Sequence, residues 1–417
     1  MSNRLRSQRS ESGSSETHMT SKKDPNAVTD ESAHSSDDHQ ARINKKAEAI
    51  RTACDLRDID ALVSHATSED GFLRDELRQL AWPILLQSDK DTQNTLSPES
   101  GLPPHPDEEQ VQLDVNRSFV YYPECPHDEL LSKKNELSRV IKQVLRNYPM
   151  LCYFQGYHDI VQVLLLVLGE ERSPPAVARL SLFRIRDYML PSLSPAVKHL
   201  QLIPAIIETA DKTLYQRLSG IRPFFALSAT LTLYAHDIQE YSDIARLFDF
   251  LLAWEPVVSI YLFVAIVLSR RKELLEIPEE EPEMLHFNLS KLPQPLDLDG
   301  LISRAVQLFR DHPPESLPFG PWRKISSYSV LKTTRDIKRT QSTNTALEMF
   351  QKQTKQLRNE ERREQFVGFL WSHRRTIGSV AIAVFVGAMS VWIRKRGLNN
   401  TILSYLDHFR VAFQGRL

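Results

Sequence analysis

The chain runs to 417 residues, 41% of them apolar and 25% charged, which is room for one large or two ordinary domains plus tails around a sizeable core. Its 52 basic and 53 acidic side chains leave a formal net charge of −1, which excludes whole-chain nucleic-acid binding, because that needs a basic field to displace counterions. Three widely spaced cysteines, Cys54, Cys125 and Cys152, make neither a disulfide framework nor a metal-ligand spacing, so the folded part belongs in a reducing, cytosolic setting without a zinc site.

Residues 1–41 are dominated by Ser, Asp, Glu, Lys and Arg, with almost no branched apolar or aromatic residues. Such a segment buries too little surface to offset ordering entropy and is expected to be disordered, and it carries no secretory leader. From about 42 to 320 apolar residues recur at three- and four-residue spacing, which predicts helices. Leu73, Leu77, Leu80, Ala81 and Ile84 share one face, and Leu130, Leu137, Ile141, Val144 and Leu145 another. Ile160, Val163, Leu164 and Val167 form a third, in a run that is apolar almost all round and stops at Gly169. Further helices are expected over 177–188, 200–218, 224–234, 244–252 and 257–268. Alternating strand patterns are scarce and no βαβ rhythm occurs, so the fold class is all-α.

The run 248–269 would pass for a membrane span on hydropathy alone, but it contains Asp249, Glu255 and Pro256. Charges are expensive in lipid and the proline splits the run, so two core helices are expected. Residues 279–297, with three consecutive glutamates and several prolines, read as loop, and 301–309 as a last amphipathic helix before Pro313-Pro314. From 321 to 375 the chain is polar and charged, a solvated and partly helical linker.

The linker leads to 376–393, TIGSVAIAVFVGAMSVWI, which has no charge and no proline and is bracketed by Arg374-Arg375 and Arg394-Lys395-Arg396. Eighteen helical residues span ~27 Å, close to the hydrocarbon thickness of a bilayer. Trp371 and Trp392 lie near the two ends, where amphipathic rings prefer the interface. The reading is a C-terminal transmembrane helix inserted after synthesis, with the large N-terminal part in the cytosol; a buried core helix is the alternative. In the short tail 394–417, Leu398, Ile402, Leu406 and Phe409 at helical spacing suit either the membrane surface or a short packed helix.

No phosphate loop, dinucleotide fingerprint, nucleophile elbow or zinc-protease motif is present, so autonomous catalysis has no visible site. Two short segments are unusual instead. In Val111-Gln-Leu-Asp114-Val-Asn-Arg117, the Asp and Arg are three apart and can pair on a helical turn, which would leave the remaining guanidinium donors projecting. In Tyr148-Pro-Met-Leu-Cys-Tyr153-Phe-Gln155-Gly156-Tyr157-His158-Asp159, the proline interrupts a helix and Gly156 permits close backbone approach, so Gln155 sits at a bend where its side chain is displayed. Taken singly, the first is ordinarily a solvated surface pair and the second ordinary loop chemistry.

Together these segments resemble the TBC domain family of Rab GTPase-activating proteins. The family's I-x-x-D-x-x-R motif is matched by Val111, Asp114 and Arg117, and its Y-x-Q-G motif by Tyr153, Gln155 and Gly156. An L-R-x-x-x-W-x-x-L element is matched by Leu77, Arg78, Trp82 and Leu85, and an R-hydrophobic-W-D element by Arg246, Leu247, Phe248 and Asp249. The resemblance covers roughly 71–270. It extends to the C-terminally anchored, endoplasmic-reticulum subgroup through Asp114–Ser118, Gln155–Asp159, Phe248–Ala253 and Leu301–Ala305.

The resemblance implies an enzyme activator with no cofactor of its own, GTP and magnesium being brought by a partner Rab-type GTPase in its GTP form. Arg117 and Gln155 would be the catalytic fingers. Asp114, Tyr153, Gly156 and Tyr157 would support them, Asp114 holding Arg117 while Tyr153 and Gly156 set the Gln155 backbone. It also implies an endoplasmic-reticulum or early secretory membrane, with the 42–320 domain facing the cytosol. A non-catalytic Rab-binding scaffold or a membrane-tethered adaptor is the alternative.

Overall fold

The computed structural model describes residues 27–89, 96–372 and Ala388, and every regular element among them is helical. Helices α1 (Ala27–Leu56) and α2 (Ile59–Thr67) lead into α3 (Asp75–Leu86), followed by α4 (Glu108–Asn116), α5 (His127–Asn147) and α6 (Tyr157–Phe183). Short helices α7 (Ser194–Leu200), α8 (Leu202–Ala210), α9 (Lys212–Leu218) and α10 (Leu227–Leu231) come next. They are followed by α11 (Tyr241–Ala253), α12 (Val258–Ser269), α13 (Arg271–Glu276), α14 (Pro282–Leu289) and α15 (Leu298–Asp311). The described part ends with α16 (Pro321–Lys324), α17 (Val330–Thr333) and the long α18 (Thr343–Ser372).

Local chemistry explains several boundaries. Asp58, Asp211 and Asp297 cap α2, α9 and α15 by accepting backbone N–H bonds from Ala61, Leu214 and Gly300, groups left unsatisfied in a first turn. Helix α5 begins with Asp128 and Glu129 and ends with Arg146, charges that complement its dipole. Gly169, at φ 74° and ψ 169°, breaks α6 into two helical segments, at the point where the sequence pattern stops.

The core centres on α12, where every residue from Val258 to Val267 is buried, packed against α8 and α15. Each such fully buried branched or aromatic side chain contributes about 1.5–3 kcal/mol. Beside it, α11 carries Asp249 with no exposed side-chain surface. Trp82 Nε1 and Arg78 Nε donate to its carboxylate at 2.8 and 3.0 Å, and the Phe72 N–H donates at 3.0 Å. The run 248–269 is therefore two core helices, the charge inside it being satisfied by donors from α3 and from Phe72 just before it.

Three expectations change. Helix α1 begins at Ala27, inside the segment expected to be disordered; Ala47, Ile50, Ala53 and Cys54 anchor its later turns, and helix propagation adds residues to an existing nucleus at little cost. Residues 282–289, expected as loop, form α14, with Pro282 at its first turn and Leu285 and Leu289 buried. The expected linker folds back on the domain, so the domain does not end near 320. Ile325, Val330 and Leu331 are buried, Arg186 donates to the Tyr328 carbonyl at 2.7 Å, and Ala346, Phe350, Gln353 and Leu357 line the inner face of α18. Charges on the outer faces of α18 conceal this four- and seven-residue apolar stripe. No helix among the described residues is long and apolar enough to cross a membrane; the stretch 376–393, Ala388 apart, and the tail lie outside them.

Candidate functional site

Arg117 and Gln155 reach one cleft, lined also by Asp114, Phe119, Tyr122, His158 and His236. Arg117 is the residue that ends α4, and its side chain is 67% exposed. The carboxylate behind it is the reverse: Asp114 is 1% exposed and accepts Arg117 Nη2 at 2.7 Å, Gln110 Nε2 at 3.0 Å and the Tyr153 hydroxyl at 2.9 Å. A charge-assisted bond on one nitrogen fixes the guanidinium plane and leaves Nε and Nη1 with no protein partner among the described residues. The chain then reverses through Phe119, whose φ of 59° is left-handed and whose N–H donates to Gln162 Oε1 at 2.9 Å.

Helix α4 is itself clamped. Glu108 makes a two-pronged pair with Arg146 of α5, at 2.6 and 2.7 Å, and the guanidinium holds its carboxyl below the ordinary range. Asp107, just before α4, accepts the Tyr153 N–H at 2.9 Å.

Gln155 sits on the loop between α5 and α6, exposed and with no hydrogen-bonding partner among the described residues. The loop is set by Gly156 at φ 99°, where an added Cβ would lie 2.5 Å from Thr232 Cγ2, so only glycine fits. Tyr153 does more than shape this bend. Burial, then Asp114, push its hydroxyl well above the ordinary range, so it stays a proton donor and ties the glutamine loop to the arginine's carboxylate. Tyr157 lies apart from the cleft: fully buried, its hydroxyl meets Ser181 Oγ at 2.7 Å, and it supports the loop by edge-on packing against the Tyr153 ring, centroids 6.0 Å apart.

Sequence spacing did not reveal Asp107, Gln162 or Thr232, which reach the site from elsewhere in the chain. It also left unassigned His158 and Asp159, which directly follow the glutamine motif. The signal for that pair was its place in the Gln155–Asp159 stretch, which carried a resemblance and no role.

Comparison with known proteins gives the chain's family. The Rab-GTPase-TBC domain model matches residues 75–275. The chain is 35% identical to GTPase-activating protein gyp10 of Schizosaccharomyces pombe over 76% of its own length and 86% of that protein's. It is likewise 35% identical to Homo sapiens TBC1 domain family member 20 over 67% of its length and 70% of the relative's. Among solved structures, a Chlamydomonas flagellar RabGAP TBC domain aligns with a TM-score of 0.47 at 16% identity, covering 63% of this chain and 96% of that one.

Proposed function

The chain belongs to the Rab-GTPase-TBC domain family, and on that footing we propose that it activates a Rab-type GTPase by presenting Arg117 and Gln155 to the GTP its partner holds. The observation that carries this reading is the shared cleft: an exposed guanidinium and an exposed carboxamide, distant in sequence, converge on buried supports. Phosphoryl transfer needs positioning and charge stabilisation rather than covalent help. Arg117, with Asp114 neutralising only one edge of it, has donors to spare for negative charge that grows on the transferring phosphoryl group and the leaving oxygen. Gln155 carries a carbonyl acceptor and an amide donor, the pair required to orient an attacking water. The partner supplies the magnesium and the nucleotide.

Single-turnover GTP hydrolysis across a panel of Rab proteins tests the reading. The responsive Rab should still be strongly accelerated after its own switch glutamine is changed to Ala, because Gln155 takes over the water. Gln155→Ala should slow hydrolysis by roughly 10²–10³, as expected for losing one preorganised polar group at a reacting centre. A Rab variant that no longer responds removes Gln155 from the water-orienting role, and a panel with no response leaves a Rab-binding scaffold or a membrane-tethered adaptor in its place.

The same reading puts the protein on an endoplasmic-reticulum or early secretory membrane, in ER-to-Golgi traffic, held by 376–393 with the helical domain toward the cytosol. Its support is the charge-free stretch between basic flanks. Deletion from Thr376 onward should release the protein from membranes and leave activity on free Rab intact; carbonate-resistant attachment of the truncated chain would refute the anchor.

A further inference from the structure

His158 lines the cleft wall, 8% exposed, and the two-finger scheme makes no use of it. Its Nδ1 is 3.2 Å from the Tyr153 hydroxyl and 3.9 Å from Asp114 Oδ2, and its Nε2 is 3.2 Å from Asp159 Oδ1. Asp159 turns its other oxygen to His236 Nδ1, 3.0 Å away on the loop between α10 and α11, where the His236 side chain is 63% exposed. A continuous polar line thus runs from His236 at the surface through Asp159, His158 and Tyr153 to Asp114 and Arg117.

We propose that His158, seated by Asp159 and His236, is a positioning residue for the arginine finger, acting on Arg117 through the Tyr153 hydroxyl and Asp114. This rests on the reading of Arg117 as the transition-state donor. Counting protons gives the line a consequence. Two hydrogen bonds link the ring to the arginine's carboxylate, Nδ1 to the Tyr153 hydroxyl and that hydroxyl to Asp114, and each needs one proton. The charge of Asp159, an ion-pair contact 3.2 Å from Nε2, holds the proton of a neutral imidazole on that nitrogen. Nδ1 is then an acceptor and competes with Asp114 for the Tyr153 proton. An imidazolium donates from Nδ1 as well and commits Tyr153 to Asp114.

The groups facing the ring are Asp114 and Arg117 from α4, Tyr153 from the loop before α6, Asp159 on its own helix and His236 from across the cleft. Burial pushes His158 below the ordinary histidine range against the pull of the two carboxylates, so the ring is neutral at physiological pH and gains its proton as pH falls. Acid therefore tightens the support of the arginine.

The test is single-turnover hydrolysis by the full chain on the responsive GTP-loaded Rab, with kcat and KM separated from about pH 7.5 down to about pH 5.5. At the acid end His158→Leu should lower kcat about tenfold, the worth of one hydrogen bond to a charged group, with KM within about twofold. The loss should shrink toward about pH 7.5, where the neutral ring competes for the Tyr153 proton. His158→Asn should recover most of that loss, since its amide presents a proton that does not titrate. The ratio of wild-type to Asn-variant rate should rise as pH falls, a comparison that cancels the Rab's own pH dependence. His236→Ala, on the surface, should cost a smaller factor, about threefold. In an Arg117→Ala background, His158→Leu should cost nothing further.

The proposal is overturned if His158→Leu keeps its kcat at the acid end, if Asn rescues no better than Leu there, or if the pH profiles run parallel. A collapsed thermal transition in both His158 variants with His236→Ala unaffected also overturns it, since the residue would then serve folding alone. Arg117→Ala retaining wild-type rates overturns the finger assignment itself; with that variant inactive, the other results bear on His158 alone.

Discussion

Helices α3 and α4 each carry an Asp-x-x-Arg pair, and the two pairs have opposite fates. Asp75 accepts from Arg78 at 2.9 Å and Asp114 from Arg117 at 2.7 Å. Each carboxylate also accepts a tyrosine hydroxyl from a distant part of the chain, Tyr241 at 2.6 Å and Tyr153 at 2.9 Å. Yet in α3 the arginine is buried, at 7% exposure, and in α4 it is the aspartate, at 1%, while Arg117 stands 67% exposed. The deciding group is a third one. Asp249 on α11 draws Arg78 inward with Trp82 and the Phe72 backbone, making it part of the core. No second acid reaches Arg117 among the described residues, and α4 ends at it. One spacing thus yields an arginine spent on structure and an arginine left for export.

The widest separation between the two pairs should come from removing each arginine. Arg117→Ala should lower kcat/KM by roughly 10³–10⁵, the range an arginine finger supplies in phosphoryl transfer. Its unfolding free energy should change by no more than about 1 kcal/mol, because the Arg117 side chain is 67% exposed, so solvent screens the pair and no packed volume is lost. Arg78→Ala should do the reverse, costing about 3–5 kcal/mol by leaving Asp249 as an uncompensated buried charge. Urea unfolding and single-turnover hydrolysis on the same samples check both arms. An Arg117→Ala protein that hydrolyses normally would erase the contrast.

This contrast also marks how far the sequence could be read. Helices showed through wherever a single apolar face repeats, as in α5 and α15, because periodicity records burial directly. It failed at α18, where Ala346, Phe350 and Leu357 are buried beneath a helix surface crowded with charge. It failed again at α14, where proline and glutamate at the first turn look like loop but favour a helix start. At the site, Asp114, Arg117, Tyr153, Gln155 and Gly156 were legible as motifs. Their geometry was not, since Asp107 holding Tyr153, Gln162 holding Phe119 and Thr232 facing Gly156 are contacts between segments far apart in the chain. Tyr153 is the instructive case: the motif suggested a backbone role, whereas its hydroxyl ties the Gln155 loop to Arg117 through Asp114.

An intermediate effect is expected where the glutamine loop meets its wall. Gly156→Ala forces a side chain onto a left-handed residue and drives its Cβ against Thr232, for a cost of about 1–3 kcal/mol in local strain. Unlike Arg78→Ala, the strain falls next to Gln155, so stability and hydrolysis should drop together. Trimming the wall by Thr232→Ser in the same protein should recover part of both losses. If Gly156→Ala leaves hydrolysis untouched, the bend does not set Gln155.

The smallest effects, and the finest comparison, come from the two tyrosines. Tyr241→Phe and Tyr153→Phe each delete one hydroxyl bonded to the aspartate of an Asp-x-x-Arg pair, and each should cost about 1 kcal/mol of stability. Their effects on hydrolysis should part. Asp75 serves an arginine already fixed by Asp249, so Tyr241→Phe should leave kcat unchanged. Asp114 has no such backing: without Tyr153 it keeps only Gln110 and the exposed guanidinium it orients. Tyr153→Phe should therefore lower kcat about five- to tenfold, the rate equivalent of roughly 1 kcal/mol felt mainly in the transition state, with KM nearly constant. Equal slowing by both variants would mean that Tyr153 acts through general stability, and the separation of the two pairs into structural and exported roles would fail at its most sensitive point.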